Sequence, residues 1–555
     1  MGKELLTNTA KFLTTYNAGG GDFEVDLERV QTDALVIGGG LAGLSAALEL
    51  RAKGWNVTIV SKGKVGQSGN TIMTRNSMAA VLAEAPKSGT VREHVEDTLA
   101  GGVYLNDPKL VRKLAAKAED GIKSLERWGV PFLRQDGHIS SKGSPGHGRE
   151  RILTVDARHL RSTHNAGLAL SLPLLEKAKE AGVTLLNGIL ITGLLKKDGT
   201  VGGAYGLDRG KPQVWFFESR VVILASGGVG QLYPLTTNAG DVSGDGYALG
   251  YLAGAKVRDM EFIQFHPTVS MGASKEVLST APFSDGAVLR NKLGDAFMTR
   301  YSPEGDMATR DVMARAVYEE IRSGRGSEHG GVYVDFSEVP PAKMTREYEP
   351  IQRRLNGSTT IEVGTAAHFM MGGIVIDEFG RTGASGLYAC GEVTGGVHGA
   401  NRLAGNALTE AVVFGIEVGR HAGRDLDDAL KTSAQSSLKL ADIKQLLADD
   451  GIHLQHEAQE GSNSAQAGYS LEEIKKKLRF LMGLNVGIVR SGAGLSQAME
   501  ELSKFQVYLE QYRCHSYTEL LAHHQLKLMI LTAVLITQAA WQRRDSLGAH
   551  YRKAD

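Results

Sequence analysis

Gly38-Gly39-Gly40-Leu41-Ala42-Gly43 fits G-x-G-x-x-G, the spacing of a loop that cradles a pyrophosphate. In such a loop the first glycine (Gly38) allows a tight turn. The second (Gly40) lets the backbone approach the phosphates, and the third (Gly43) lets a helix pack close to a strand. The helix N-terminus behind the loop then presents free N–H groups to the phosphate charge. The glycines alone are weak evidence. Here the apolar run Ala34 to Ile37 precedes them, a helical stretch follows, and a second apolar run, Val57 to Val60, completes a strand–turn–helix–strand unit. That context makes a dinucleotide the expected ligand, against the alternative of a glycine turn that binds nothing.

Such a loop functions at the C-terminal edge of a parallel sheet, so the chain must supply more strands. Strands and helices alternate from about residue 30 to 250. Lys109 to Arg127 and Leu160 to Ala181 read as helices, Val183 to Leu186 as a strand, and "LITGLLKKDGTVGGAYGLD" as a hairpin. "RVVILASGGVG" (Arg220 to Gly230) is a second buried strand that ends in small residues, again at a nucleotide edge. From about 256 to 367 the chain is more polar and less regular, with "SPEGDMATRDVMARAVYEEIRSG" as a helix, which reads as an inserted domain. Dinucleotide character returns between Gly372 and Gly423. The tail from about 430 is helical, and "SLEEIKKKLRFLMGLNVGIVR" has the 3.6-residue period of an amphipathic helix.

A chain of 555 residues exceeds one ordinary core, so two or three domains are expected. Zero formal net charge leaves no electrostatic footprint for nucleic acid. Two cysteines, Cys390 and Cys514, can neither build a disulfide framework nor hold an iron–sulfur cluster, and they fit a reducing compartment. The N-terminal segment lacks the apolar core of an export signal. No run of about 18 uninterrupted apolar residues is present, so no membrane span is expected, and Leu526 to Trp541 reads as a buried helix.

Several segments together resemble one family: "GGGLAG", "ASGGVGQLYPLTTNAGDVSGDGYALGYLAGA", "EFIQFHPT", "TRDVMARAV", "AHFMMGGI", "GLYACGE", "HGANRLAGNAL" and "RRDSLGAHYRKAD". Their order and spacing resemble the succinate dehydrogenase/fumarate reductase flavoproteins, a group that includes L-aspartate oxidase and the soluble fumarate reductases. The resemblance implies bound FAD and an α/β fold. That fold is a split Rossmann-like FAD-binding domain with an inserted α+β capping domain and a C-terminal helical domain. The boundaries implied are an N-terminal extension (1–30), a first FAD-binding segment (31–255), the capping domain (256–367), a second FAD-binding segment (368–430) and the helical domain (431–555).

The resemblance also implies residue roles. FAD contacts fall on Gly38, Gly40, Leu41, Ala42 and Gly43, then on Ser61, Lys62, Ser68, Asn70 and Thr71, and on Ala225, Ser226 and Gly227. Asp245, in a turn resembling T-G-D-G, is suited to accept from ribose hydroxyls; the alternative is a surface Asx turn. Glu392 would also accept from hydroxyls, and the turn before Asn406, Ala407 and Leu408 would aim N–H groups at flavin oxygens. Ser61-Lys62 stands where an acid often reads the ribose, which weighs against a standard NAD site. His266, His368 and Arg402, with Ser279, fall where the family holds its substrate carboxylates. A planar guanidinium and imidazole donors suit that task, although each histidine alone could be purely structural. Arg402 falls among the cofactor contacts as well. Arg310 matches the proton-donating arginine; its alternative role is an ion pair with Asp311.

The chain departs from the family pattern in two places. Gly69 stands where many members tether FAD through a histidine, so noncovalent FAD is expected, and Thr74-Arg75-Asn76 places bulkier polar groups beside the flavin. Ser279, Thr280 and Phe283 replace a Thr-Glu pair and an arginine, leaving Asp285 as the nearest acid. The expected function is two-electron redox chemistry at a C–C bond beside a carboxylate. The electrons would come from a partner subunit, an iron–sulfur protein being the family's usual choice. The expected setting is cytoplasmic, peripheral to a membrane through partners. Two other readings stand beside this one: an oxidase of L-aspartate type, and a flavin-bearing electron-transfer subunit without chemistry of its own.

Overall fold

The computed structural model describes residues 25–160, 166–271, 276–346, 348–430, 445 and 468–553. Its centre is a five-stranded parallel sheet. The strands are β1 (Ala34–Ile37), β2 (Val57–Ser61), β3 (Thr184–Asn187), β4 (Val221–Leu224) and β5 (Leu387–Ala389), in the spatial order β5-β4-β1-β2-β3. β1, β2, β4 and β5 are buried along their whole length, as the apolar runs at β1, β2 and β4 required. Register pairs Leu35 with Val222 on one side and with Thr58 on the other. The last strand arrives 163 residues after β4 in sequence (387 against 224), so the inserted segment lies between two neighbouring strands of one sheet. Helix α1 (Leu41–Ala52) follows the glycine loop directly.

The predicted hairpin is present as Ile189–Lys197 paired antiparallel with Thr200–Asp208. It belongs to a second sheet that also contains Gln213–Glu218 and Asp26–Gln31. Asp26–Gln31 therefore joins the first FAD-binding segment, where the sequence reading leaves 26–30 in an N-terminal extension; residues 1–24 lie outside the described set. The helix expected from Leu160 forms as Leu168–Glu180, with residues 161–165 outside the described set.

The inserted segment forms a four-stranded antiparallel sheet of Ile263–Ser270, Thr360–Met370, Val332–Asp335 and Val288–Arg290. It has an apolar core of its own, in which Leu289, Phe297, Val317 and Val334 pack together. The strand Thr360–Met370 crosses the expected boundary at 368. Helix α2 (Arg310–Glu320) packs on this sheet. Beyond it, α3 (Asn406–Leu430) returns to the central sheet and lies against α1. The C-terminal region is helical: α4 (Leu471–Asn485), α5 (Gly492–Gln511) and α6 (Tyr517–Gln542). α4 starts at a capping box between Ser470 and Glu473. By length and composition α6 alone among the described helices could cross a bilayer, but most of it is buried between its neighbours.

Candidate active site

One large cavity runs from the C-terminal ends of the parallel strands to the inner face of the capping sheet. At its nucleotide end the chain turns sharply at Gly38, where φ is +121° and an added Cβ would lie 2.1 Å from the carbonyl oxygen of Ala225. A side chain there would collide with the neighbouring strand as well as strain the turn. Gly43 does not line the cavity. A Cβ on it would meet the Gly38 carbonyl oxygen at 2.0 Å, so its place is helix–strand contact. Gly40, Leu41 and Ala42 do line it, and Leu41 N–H donates to Thr71 Oγ1 at 3.0 Å.

Most of the other sequence-predicted cofactor residues line the same cavity: Ser61, Lys62, Ser68, Asn70, Thr71, Ala225, Ser226, Gly227, Asp245, Glu392, Ala407 and Leu408. Asn406 does not. Its side chain turns into the protein, accepting at 3.0 Å from His94 Nε2 and donating to Thr98 Oγ1 at 3.1 Å, because a residue at the first turn of α3 must pack against the helix Val91–Gly101. Two carboxylates meet partners other than those expected. Asp245 forms an ion pair with Lys62 and accepts from Ser243 Oγ at 2.8 Å, so both its oxygens have protein donors. Glu392 accepts from Asn70 Nδ2 at 2.9 Å and from the Met370 N–H at 3.1 Å. Burial raises the Glu392 carboxyl to about 7, against the pull of those two donors. Both acids brace the cavity wall, and with about four acceptor sites on a carboxylate they keep room for a ligand hydroxyl.

The cavity fits FAD on these observations. A phosphate cradle free of side chains lies between a polar end at Lys62 and Asp245 and an end rich in guanidinium and imidazole. Gly69 has φ +74°, and a Cβ built there has nothing within 4 Å, so it faces open space. Thr74 and Arg75 line the cavity; Asn76 is buried and donates to the Ala166 carbonyl at 2.7 Å. Arg75 leans toward the capping segment, donating to the Val277 carbonyl at 2.6 Å beside Glu276 at 3.6 Å.

At the other end the structure brings His266, His368, Arg402, Arg310 and Ser279 to one place. The rings of His266 and His368 meet edge-on at 5.0 Å. His266 Nδ1 accepts the Thr268 N–H at 3.3 Å, which leaves Nε2 to carry the proton. His368 Nδ1 lies 2.8 Å from Thr237 Oγ1. Burial, then the nearby arginines, holds both imidazoles well below their usual range, so they are neutral donors. Arg402 is clamped by Gln264: its Nη2 donates to Gln264 Oε1 at 2.9 Å, and its carbonyl accepts from Gln264 Nε2 at 2.9 Å. Its guanidinium lies 4.5 Å from the ring of Phe369, and its Nε has no partner. Ser279 Oγ, on the exposed rim, accepts the Ala281 N–H at 3.1 Å.

Arg310 opens α2, and among the described residues it forms no hydrogen bond or ion pair. Asp311 pairs with Arg315 at 3.0 Å and with Thr309 Oγ1 at 2.6 Å, so the alternative of an Arg310–Asp311 ion pair does not hold. Burial lowers Arg310 to about 10 and Arg402 to about 9, the latter also through Arg310. The positive end of α2 acts on Arg310 in the same direction. Asp285 does not stand in for the glutamate of the family pair whose place Thr280 takes. Its oxygens are taken by Lys343 and Tyr348, and it does not line the cavity. Phe283 is buried in the capping core.

Sequence reading missed Gln264, Thr237 and Asn238. Asn238 donates to the His368 carbonyl at 2.8 Å and accepts from Asn70 Nδ2 at 3.0 Å. All three sit inside the segments "EFIQFHPT" and "TTNAGD", but their partners lie more than 100 residues away in sequence.

Known proteins resemble the chain over most of its length. A family described as "FAD binding domain" matches residues 33–408, and one described as "Fumarate reductase flavoprotein C-term" matches 475–554. The chain is 36% identical over 542 residues to a subunit of the fumarate reductase (CoM/CoB) of Methanothermobacter marburgensis, covering 95% of each chain. It is 34% identical to L-aspartate oxidase of Pseudomonas aeruginosa, covering 94% of this chain and 95% of that one. A quinol–fumarate reductase solved with menaquinol molecules superposes with a TM-score of 0.81 at 26% identity, covering 95% of this chain and 93% of the other.

Proposed function

The chain belongs to the succinate dehydrogenase/fumarate reductase flavoprotein family, with FAD as its cofactor, and from that premise we propose that it reduces a C–C double bond beside a carboxylate. One observation carries this reading. Two guanidiniums, Arg310 and Arg402, face the same cavity end as two neutral imidazoles, and among the described residues neither guanidinium has a carboxylate partner. Arg402 is buried and Arg310 half-buried, and an unpaired cation taken out of water is costly unless an anion arrives to balance it.

In this proposal Arg402 grips one carboxylate of a small acid, and His266 and His368 donate to its oxygens. Withdrawal of electron density makes the double bond electrophilic. FAD, when bound, supplies the electron pair as hydride to one carbon. Arg310 delivers a proton to the neighbouring carbon; burial weakens its hold on that proton and so brings it nearer a useful acid. The FAD is noncovalent, because Gly69 offers no side chain for a tether.

Electrons would come from a separate carrier. The two cysteines of the chain are both buried and too few for a cluster, so an iron–sulfur subunit is the proposed source. The proposed setting is cytoplasmic, peripheral to a membrane through that partner.

The test is to reduce the flavin anaerobically and screen unsaturated and amino dicarboxylates for reoxidation. Rapid reoxidation by an unsaturated acid supports the reductase; failure of every acid removes it. The identity to an L-aspartate oxidase keeps one further reading in the same screen: hydrogen peroxide formed from L-aspartate in air would mark an amino acid oxidase.

A further inference from the structure

Reduction as proposed takes a proton from Arg310 at each turnover, and Arg310 must regain it. Neither the two positions where the family carries a Glu and an Arg, nor the nearest acid, supplies one. Thr280 carries no acid, Phe283 is buried in the capping core, and Asp285 is held by Lys343 and Tyr348.

A second, smaller pocket shares Thr280, Arg310, Arg402 and Ala404 with the main cavity and reaches Asp306. Asp306 sits in the short turn Gly305–Met307, immediately before α2. Its Oδ1 accepts the Leu289 N–H at 2.9 Å, which fixes the carboxyl in place, and among the described residues no other residue donates to it. It is half-buried, between the pocket and solvent. Arg290 favours its charged form, but among the described residues no guanidinium or ammonium forms an ion pair with it. Arg290 is paired with Asp335 at 2.8 Å, Arg300 with Glu320 at 3.1 Å, and Asp285 with Lys343. Arg310 and Arg402 line the same pocket.

We propose that Asp306, acting through water held in this pocket, returns the proton to Arg310; the inference rests on the reductase reading above. The step balances. The substrate double bond gains hydride on one carbon and the Arg310 proton on the other, becoming CH–CH as the cofactor is oxidised. The neutral Arg310 side chain takes a proton from the pocket water, which takes one from the Asp306 carboxyl. The Asp306 carboxylate then takes a proton from solvent. Burial raises the Asp306 carboxyl from its ordinary value, against the pull of the Leu289 N–H and of Arg290, which moves it toward a useful proton carrier.

The test compares wild type with Asp306→Asn, which keeps an acceptor for the Leu289 N–H but carries no acid. Turnover of fumarate with reduced methyl viologen is measured from pH 5.5 to 9. Fumarate affinity is read separately from the flavin absorbance of the oxidised protein. The expected result is a fall in kcat of about 100-fold, growing as pH rises, with fumarate affinity within about two-fold of wild type. Wild-type turnover matched by Asp306→Asn at every pH would overturn the relay alone. A wild-type protein inert toward every unsaturated acid would overturn the reductase reading and the relay with it. Should Asp306→Asn fail to load flavin, Asp306→Glu decides. Retained turnover with a displaced pH limb supports the relay, and an unchanged pH profile overturns it.

Discussion

Gln264 and Arg402 hold each other twice, through the Nη2–Oε1 bond and through the Nε2–carbonyl bond, both 2.9 Å long and both buried. The first fixes the guanidinium plane and the second fixes the loop that carries it. Gln264→Leu should therefore weaken carboxylate binding without touching FAD. Hydrogen bonds to charged groups are worth about 1.5–3 kcal/mol each, so kcat/KM should fall roughly 10- to 100-fold, mostly through KM. Steady-state kinetics with the best unsaturated acid, beside the flavin-to-protein ratio, checks this.

Arg310→Ala separates an enzyme from an electron carrier. Its guanidinium has no structural partner to lose among the described residues, so the fold should tolerate the change. Loss of a proton donor of this kind costs about 100- to 10,000-fold in turnover, while dithionite reduction of the flavin should proceed as before. Unchanged turnover would mean that the chain only passes electrons.

The flavin should leave the protein on acid precipitation, colouring the supernatant. Gly69 has φ +74° and ψ −174°, a region that essentially only glycine occupies, so a side chain there would strain the backbone by about 1–3 kcal/mol. Gly38→Ala is the harsher change at the same cofactor: its Cβ would stand 2.1 Å from a backbone oxygen. That variant should be recovered without flavin. Colour held in the pellet by the wild-type protein would contradict the noncovalent assignment.

Glu392 predicts a pH dependence of stability. Its carboxyl rises from 4.5 to about 7 in the folded protein, chiefly through burial. The native state therefore keeps a proton that the unfolded chain loses between those values, and stability falls as pH rises through that window and levels off above about 7. The full effect is ~3 kcal/mol. Melting temperatures of wild type should decline from pH 5 to 7, and those of Glu392→Gln should lack that decline.

The central fold was legible because it is written in local patterns. Continuous apolar runs at β1, β2 and β4 specify strands buried on both faces, and the Gly38 to Gly43 loop specifies what lies at their edge. The amphipathic period pointed to α4, and the apolar stretch near residue 530 to a buried helix. The strand Asp26–Gln31 was not legible, because its burial alternates with no clean period and its strand partner is nearly 190 residues away. Motif resemblance named His266, His368, Arg310 and Arg402, but no sequence pattern could say which of them keep a free hydrogen-bonding face.

That question belongs to tertiary structure alone. Asp285 and Asp306 are both acids on the capping segment, and the sequence favoured Asp285 as the closer to the missing relay position. Folding decided otherwise: Lys343 and Tyr348 come to Asp285, while Asp306 is left facing the Arg310 pocket. Residue type and spacing fix which groups can ionise or bond. The partners that use up that capacity come from distant segments, so what remains for chemistry is set only when the chain has packed.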